Sequence, residues 1–293
     1  MRILAVVNPI AGNGSAKRVL PRILQSVAGR CDVATTRYSG HARQLARTAA
    51  ADGYDRVVAI GGDGTVNEVA NGLAHSQAAL GIVPLGTGND SATNLGIPRD
   101  STVAINHAIT AEPRPIDLGQ VTTAQGSAYF VSVAGFGFDA AVAWRVNRMP
   151  KLIGGTLPYV AGVVLTLWQY RASGVRMCVD GRMFDRAVFM AAVANNPSYG
   201  GGMRIAPHAR PDDGLLEVCL VSDLSRFEVL RMLPKLYSGG HVGNPAVEMI
   251  SCQELTAEGS AQIHCHADGE LVGALPAQFR IWPNALRCVT GTS

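Results

Sequence analysis

The sequence contains no CxxC pair, no apolar run long enough to span a bilayer, no large excess of either charge, and no internal repeat or low-complexity tract. Each absence narrows the reading. The six cysteines (Cys31, Cys178, Cys219, Cys252, Cys265 and Cys288) lie far apart, mostly in apolar segments. They read as reduced thiols packed like small hydrophobes, in a cytoplasmic setting. The apolar run of "MRILAVVNPIAG" stops at Asn8-Pro9, too soon for a signal-peptide core, so export is not expected. The longest apolar stretch, "LPYVAGVVLTLW" at 157–168, falls short of the roughly 20 residues a transmembrane helix needs and reads as a buried or interfacial helix. A formal charge of +3, from 25 basic and 22 acidic residues in even scatter, excludes the basic stripes of a nucleic-acid binder. It leaves room for a small anionic ligand.

What is present is a chain of 293 residues, long enough for two ordinary domains. Its first part alternates β-type runs at 2–7, 31–36, 56–60 and 80–84 with helical patterns at 16–28, at 42–51 and after Thr65. Such alternation implies βαβ crossovers and a parallel, doubly wound sheet. Near Pro113-Arg114-Pro115 the pattern changes to β-rich runs at 128–136, 187–195, 214–221, 261–267 and 278–282, a second domain dominated by antiparallel pairing. The domains are set at 1–119 and 120–293, with the last strand left open as a return to the first.

Three glycine-bearing polar turns each follow a predicted strand of the first domain: "NPIAGNGSAK" (8–17), "GGDGTVNE" (61–68) and "PLGTGND" (84–90). Turns after parallel strands converge at the carboxyl edge of a doubly wound sheet, where ligands bind. Glycine permits close backbone approach, and free N–H groups at a following helix N-terminus favour phosphate. Asp63 would repel a naked phosphate, and it makes sense beside one if a divalent cation lies between. The plainer reading is a tight turn whose aspartate caps the next helix. Thr65 and Glu68 also fit a capping box, in which both serve only backbone donors. "GNGSAK" alone matches neither the P-loop nor a full dinucleotide fingerprint.

Together these turns, with "LGIP", "ARPDDGLLEV" and "HADGE" further on, resemble the diacylglycerol-kinase catalytic family. These are soluble lipid kinases that include bacterial diacylglycerol kinases and the sphingosine and ceramide kinases. The "GGDG" turn alone also looks like that of NAD kinases and phosphofructokinases. The resemblance covers nearly the whole chain. It implies an NAD kinase/phosphofructokinase-like α/β domain and a C-terminal β-sandwich, an ATP-dependent and Mg²⁺-requiring transfer to a lipid hydroxyl, and peripheral association with a membrane surface. A homodimer is left open. The alternatives are an NAD kinase-like kinase of a soluble metabolite and a nucleotide-binding regulatory protein without turnover.

By position, the resemblance makes Asn8, Pro9, Gly12, Thr36, Gly62, Asp63, Gly64, Thr65, Asn67, Glu68 and Thr87 nucleotide contacts. It makes Asp63 and Asp90 organisers of catalytic Mg²⁺, and Glu270 the general base for the lipid hydroxyl. Asp213, with backbone carbonyls of Arg210 and Leu215, matches a second, structural Mg²⁺ site. Locally, "DGE" also fits a plain hairpin turn, and "PDDG" is equally a type I turn. His264 and His266 lack an evident third metal ligand and read as strand residues. Asn13 stands where several bacterial members carry lysine, and Ser91 and Thr93 stand where a bulky residue and an arginine are common. No acidic residue lies between Asp139 and Asp180, whereas Arg145, Arg148, Lys151, Arg171 and Arg176 bracket the apolar run with Tyr159, Trp168 and Tyr170. That composition suits a surface touching anionic lipid, and equally two core helices with solvated ends.

Overall fold

The apolar runs of the first part become strands buried on both faces. In the computed structural model, which describes residues 1–14, 16–148 and 157–291, β1 (Ile3–Val7), β2 (Asp32–Thr35), β3 (Arg56–Gly61) and β4 (Ala79–Pro84) alternate with α1 (Ala16–Val27), α2 (His41–Ala51) and α3 (Asp63–Leu73). Every residue of β1, β3 and β4 is buried, the unbroken apolar pattern of parallel strands covered by helices on both sides. Short α4 (Asp90–Asn94) and α5 (Ser101–Thr110) follow, and β5 (Arg114–Thr123) leads out. The strands pair in parallel in the order β4-β3-β1-β2, and Arg287 and Cys288 near the chain's end add a further parallel partner beside β4. This first unit takes in Met1–Leu118, Pro211–Asp213 and the residues from Trp282 onward. The turns after β1, β3 and β4 therefore follow three neighbouring strands at one carboxyl edge.

The second unit, Gly119–Arg210 with Gly214–Ile281, is built from antiparallel pairs. Its elements are β6 (Gly126–Phe130), β7 (Val133–Gly137), α6 (Phe138–Arg148), α7 (Leu157–Gln169), β8 (Ser173–Val179), β9 (Arg182–Ala194), β10 (Leu216–Ser222), α8 (Arg226–Leu236), β11 (Val247–Cys252), β12 (Glu254–Glu258), β13 (His264–Ala267), β14 (Glu270–Ala274) and the start of β15 (Ala277–Cys288), which from Trp282 belongs to the first unit. The run at 128–136, read as one strand, is two, β6 and β7. Alternation on β9 and β10 feeds two cores, as a period of two requires. Ala191, Val193, Val218 and Leu220 join Phe130, Phe136 and Phe279 between strands. Ala192, Ala194, Cys219 and Val221 meet Phe138, Leu167, Val229 and Met232 from the helices. Each fully buried phenylalanine of the first core contributes about 1.5–3 kcal/mol by leaving water. The expected fold class, a parallel α/β part followed by a β-sandwich-like part, is the one observed.

Among the described residues no helix is long and apolar enough to cross a membrane. Cys219, Cys252, Cys265 and Cys288 are buried and none of the six cysteines is paired. Burial pushes the pKa of each of these four thiols up to about 12, so they pack as inert apolar groups.

Candidate active site

The three turns of the first unit are fastened to one another. Asn8, at the end of β1, donates its backbone N–H to the Ile60 carbonyl at 2.9 Å and its side-chain amide to Thr65 Oγ1 at 3.0 Å. Its own Oδ1 accepts from Ile10 N at 3.2 Å, an Asx turn that shapes the loop. The turns after β3 and β4 touch backbone to backbone: a Cβ placed on Gly86 would lie 2.6 Å from Gly62 Cα, so only glycine allows this approach. Asn89, in the left-handed region at φ 55°, clamps the second turn by accepting from Gly86 N and donating to Gly86 O.

This packing gathers two carboxylates. Asp63 is the first residue of α3, and its Oδ1 accepts from Ser91 N at 3.0 Å. Its other oxygen and Asp90 Oδ2 each lie 3.2 Å from the point where a Cβ on Gly88 would stand. Two like charges bordering one small space raise each other's free energy unless a cation lies near. Among the described residues there is no cluster of three or more His, Cys, Asp or Glu side chains able to hold a metal. A donor set of two carboxylates suits Mg²⁺, which typically takes one or two carboxylates and completes its shell with water and substrate phosphate.

The capping box expected at Thr65 and Glu68 does not form. α3 begins at Asp63 with Gly62 as N-cap and no side-chain cap, which places Thr65 inside the first turn, its hydroxyl taken by Asn8. Glu68 serves another helix: its two oxygens accept from Gly40 N at 2.7 Å and Ala42 N at 2.9 Å, capping α2. Asn67 is buried, and its Oδ1 accepts from Asn71 Nδ2 at 3.2 Å. Pro9 and Gly12 are half-buried in the first turn, and Gly64 and Thr87 are exposed. Thr36 directly follows β2 on the same edge, donating its N–H to Val7 O at 2.8 Å.

In the second unit, "ADGE" is a hairpin. Ala267 pairs with Glu270 across a two-residue loop in which Asp268 and Gly269 both have positive φ, 46° and 85°, the type I′ geometry that matches strand twist. Glu270 is exposed at the start of β14. Asp268 accepts from the amides of Val131, Ser132 and Val133 at 2.8, 2.9 and 3.0 Å, anchoring the loop. His266, read as an ordinary strand residue, is paired with Asp139 at 2.9 Å. Arg210, Asp213 and Leu215 are exposed in a turn closed by Gly214 at φ 73°. Asp213 groups with the first unit and the other two with the second.

The second unit also holds a cavity of about 650 Å³ lined by Phe138, Val142, Phe189, Met203, Val229 and Met232 among others. Beside it α7 and α8 expose large apolar side chains: Leu165, Trp168, Phe227 and Leu230, the last three at 61, 75 and 44%. Arg226 stacks over the Trp168 ring at 4.8 Å and donates to its carbonyl. Of the basic residues flanking α7, Arg145 donates to Gln169 and Arg176 pairs with Asp185 at 3.9 Å, while Arg171 is exposed. Lys151 and the side chains of Arg148 and Tyr159 lie outside the described residues.

A family model described as the diacylglycerol kinase catalytic domain matches residues 2–121, and one described as the YegS C-terminal NAD kinase beta sandwich-like domain matches residues 132–290. The class is thus a catalytic α/β domain followed by an NAD-kinase-like sandwich. The chain is 32% identical to a diacylglycerol kinase of Mycobacterium tuberculosis over 98% of its length and 94% of that protein's. It is 31% identical to a diacylglycerol kinase of Bacillus subtilis over 95 and 92%, and 32% identical to a probable lipid kinase YegS-like of Chromohalobacter salexigens over 81 and 76%. A crystal structure of a diacylglycerol kinase from Bacillus anthracis superposes with a TM-score of 0.72 at 19% identity, covering 99% of this chain and 96% of that one. The chain belongs to the diacylglycerol-kinase catalytic family.

Proposed function

We propose that this protein is an ATP-dependent, Mg²⁺-requiring lipid kinase that phosphorylates the hydroxyl of diacylglycerol or a related lipid. The observation that carries the reading is the pair of carboxylates, Asp63 and Asp90, brought to one glycine-lined space at the carboxyl edge of a parallel sheet. When bound, ATP supplies the phosphoryl group and Mg²⁺ neutralises charge on its oxygens. Asp63 and Asp90 hold that cation, and the turn backbones at Asn8, Pro9, Gly12, Gly62, Gly64 and Thr87 orient the phosphates, with Thr36 and Asn67 at the same edge. Glu270 accepts the proton of the lipid hydroxyl. Thr65 and Glu68 act through the loops they hold rather than as direct ligands.

Two further observations support a lipid acceptor over a soluble metabolite. The cavity of the second unit is walled almost wholly by apolar side chains, which suit acyl chains and not a dinucleotide. Trp168, Phe227 and Leu230 with Arg171, Arg226 and Arg231 suit the headgroup region of an anionic bilayer. The test is transfer of labelled phosphate from ATP with Mg²⁺ to diacylglycerol, sphingosine and ceramide in anionic vesicles, with NAD as a soluble acceptor. Label in a lipid and none in NADP is expected; label in NADP alone would replace the lipid reading with the soluble-metabolite one, and no label in any acceptor would favour a regulatory protein without turnover.

We also propose a structural Mg²⁺ held by Asp213 with the carbonyls of Arg210 and Leu215. A ligand bound only by the folded state stabilises it, so chelator lowers the melting temperature of the wild type. Asp213→Ala melts lower and is indifferent to chelator. Equal chelator sensitivity in both proteins removes the site.

A further inference from the structure

The buried pair His266–Asp139 has no place in phosphate or metal binding, yet it lies directly beneath the hairpin that carries Glu270. His266 is 2% exposed and Asp139 9%. The pair is built for: β13 sets His266 opposite Gly135 of β7, and a Cβ on Gly135 would lie 3.0 Å from Asp139 Oδ2, so the glycine makes room for the carboxylate under the ring. Asp139 sits in the first turn of α6, its second oxygen accepting from Ala140 N at 2.7 Å.

The tautomer follows from the donors. Gly269 N–H, which can only donate, points at His266 Nδ1 at 3.4 Å. The arrangement that satisfies both contacts has Nδ1 accepting from Gly269 and Nε2–H donating to Asp139 Oδ2 at 2.9 Å. The chain Asp139, His266, Gly269 ends on the residue immediately before Glu270. Asp268 holds one side of the loop through three amides, and His266 holds the other.

We propose that His266 is a positioning residue for Glu270: Asp139 fixes the ring, and Nδ1 fixes the Gly269 amide and with it the origin of β14. The inference rests on the reading of Glu270 as general base. A carboxylate displaced by a fraction of an ångström from its proton loses much of its effect, whereas the nucleotide turns of the first unit are untouched.

Two substitutions separate positioning from packing. In His266→Gln the side-chain nitrogen reaches the level of Nε2 and keeps the bond to Asp139, but Gly269 is offered no acceptor. In His266→Asn the side-chain oxygen stands at the level of Nδ1 and keeps the Gly269 bond, but Asp139 is left without its partner. His266→Gln is expected to melt close to wild type while kcat falls about 10- to 100-fold at unchanged KM for ATP; His266→Asn is expected to melt lower yet keep most of its rate. Losses of rate that track losses of melting temperature in both variants would overturn the proposal, as would wild-type kcat in His266→Gln. In a Glu270→Gln background, His266→Gln should cost no further rate, because both act through one group; a full additional loss overturns action through Glu270. If Glu270→Gln alone leaves kcat unchanged, the base reading fails, and hydrogen exchange still decides the positioning. The Gly269 amide should be protected in the wild type and His266→Asn and exposed in His266→Gln, and equal protection in all three would refute it.

Discussion

Two of the chain's Asp-Gly turns, Asp63-Gly64 after β3 and Asp268-Gly269 after β13, are used by the structure in opposite ways. Asp63 opens a helix, meets one backbone amide, and turns its other oxygen toward the space it shares with Asp90. Asp268 closes a hairpin and is committed to three amides. A carboxylate with three charge-assisted bonds is an anchor; one with a single bond and an acidic neighbour is available for a cation. The same dipeptide is therefore suited to a ligand's role in one unit and to a fastening in the other, where the neighbouring Glu270 is left exposed.

The largest expected effect tests the first half of that contrast. Asp63→Asn keeps the oxygen that accepts from Ser91 N and removes the charge, so phosphoryl transfer should fall about 10³-fold, the several kcal/mol a correctly held metal contributes. The melting temperature should not move. Wild-type turnover would put the metal elsewhere. Next comes Glu270→Gln, with a kcat about 10²-fold lower and normal ATP affinity, since a positioned base is worth at least that much. A variant that loses ATP binding at unchanged lipid affinity would show that Glu270 serves the nucleotide instead.

The parallel sheet and the turns at its carboxyl edge were legible because their signals are local: unbroken Val/Ile/Ala runs for β1, β3 and β4, and glycines just after them. The antiparallel half was read only in outline. β8, β11, β12 and β14 carry mixed exposure, so their runs are not distinctive, and the break between β6 and β7 is hidden in an apolar string. Partners distant in sequence were out of reach. Glu68 matched a capping box by spacing, yet its carboxylate goes 26 and 28 residues back to α2. Asp139 and His266 are 127 residues apart, and nothing in either neighbourhood announces the other. Asn89 and Asp268 carry a weak signal, since Asn and Asp are the residues that tolerate positive φ in turns.

Asp268→Ala probes the anchor. Removing the carboxylate strands three amide donors, and the expected loss is about 2–3 kcal/mol of stability, read as a lower melting temperature. Asp63→Ala, by contrast, should change stability by less than about 1 kcal/mol. If the two mutants destabilise equally, the distinction between ligand and fastening disappears.

The smallest effects discriminate between glycines kept for the fold and those kept for a ligand. At Gly86 an added methyl meets the Gly62 backbone at 2.6 Å; neither turn can yield without moving the other, and Gly86→Ala should cost about 1–3 kcal/mol. Gly64 differs in every respect. It lies in the first turn of α3 and a Cβ there meets nothing within 4 Å. On physical grounds alanine is the better residue at such a position, because it restricts the unfolded chain and favours the helix by about 0.4–1 kcal/mol. Gly64→Ala should therefore raise the melting temperature slightly. If the bare backbone is there to let a phosphate approach the helix N-terminus, the same substitution raises KM for ATP while the protein becomes more stable, a combination that packing alone cannot produce. Stability up with ATP affinity unchanged would remove Gly64 from the nucleotide site and leave phosphate binding to the turns at Asn8 and Thr87.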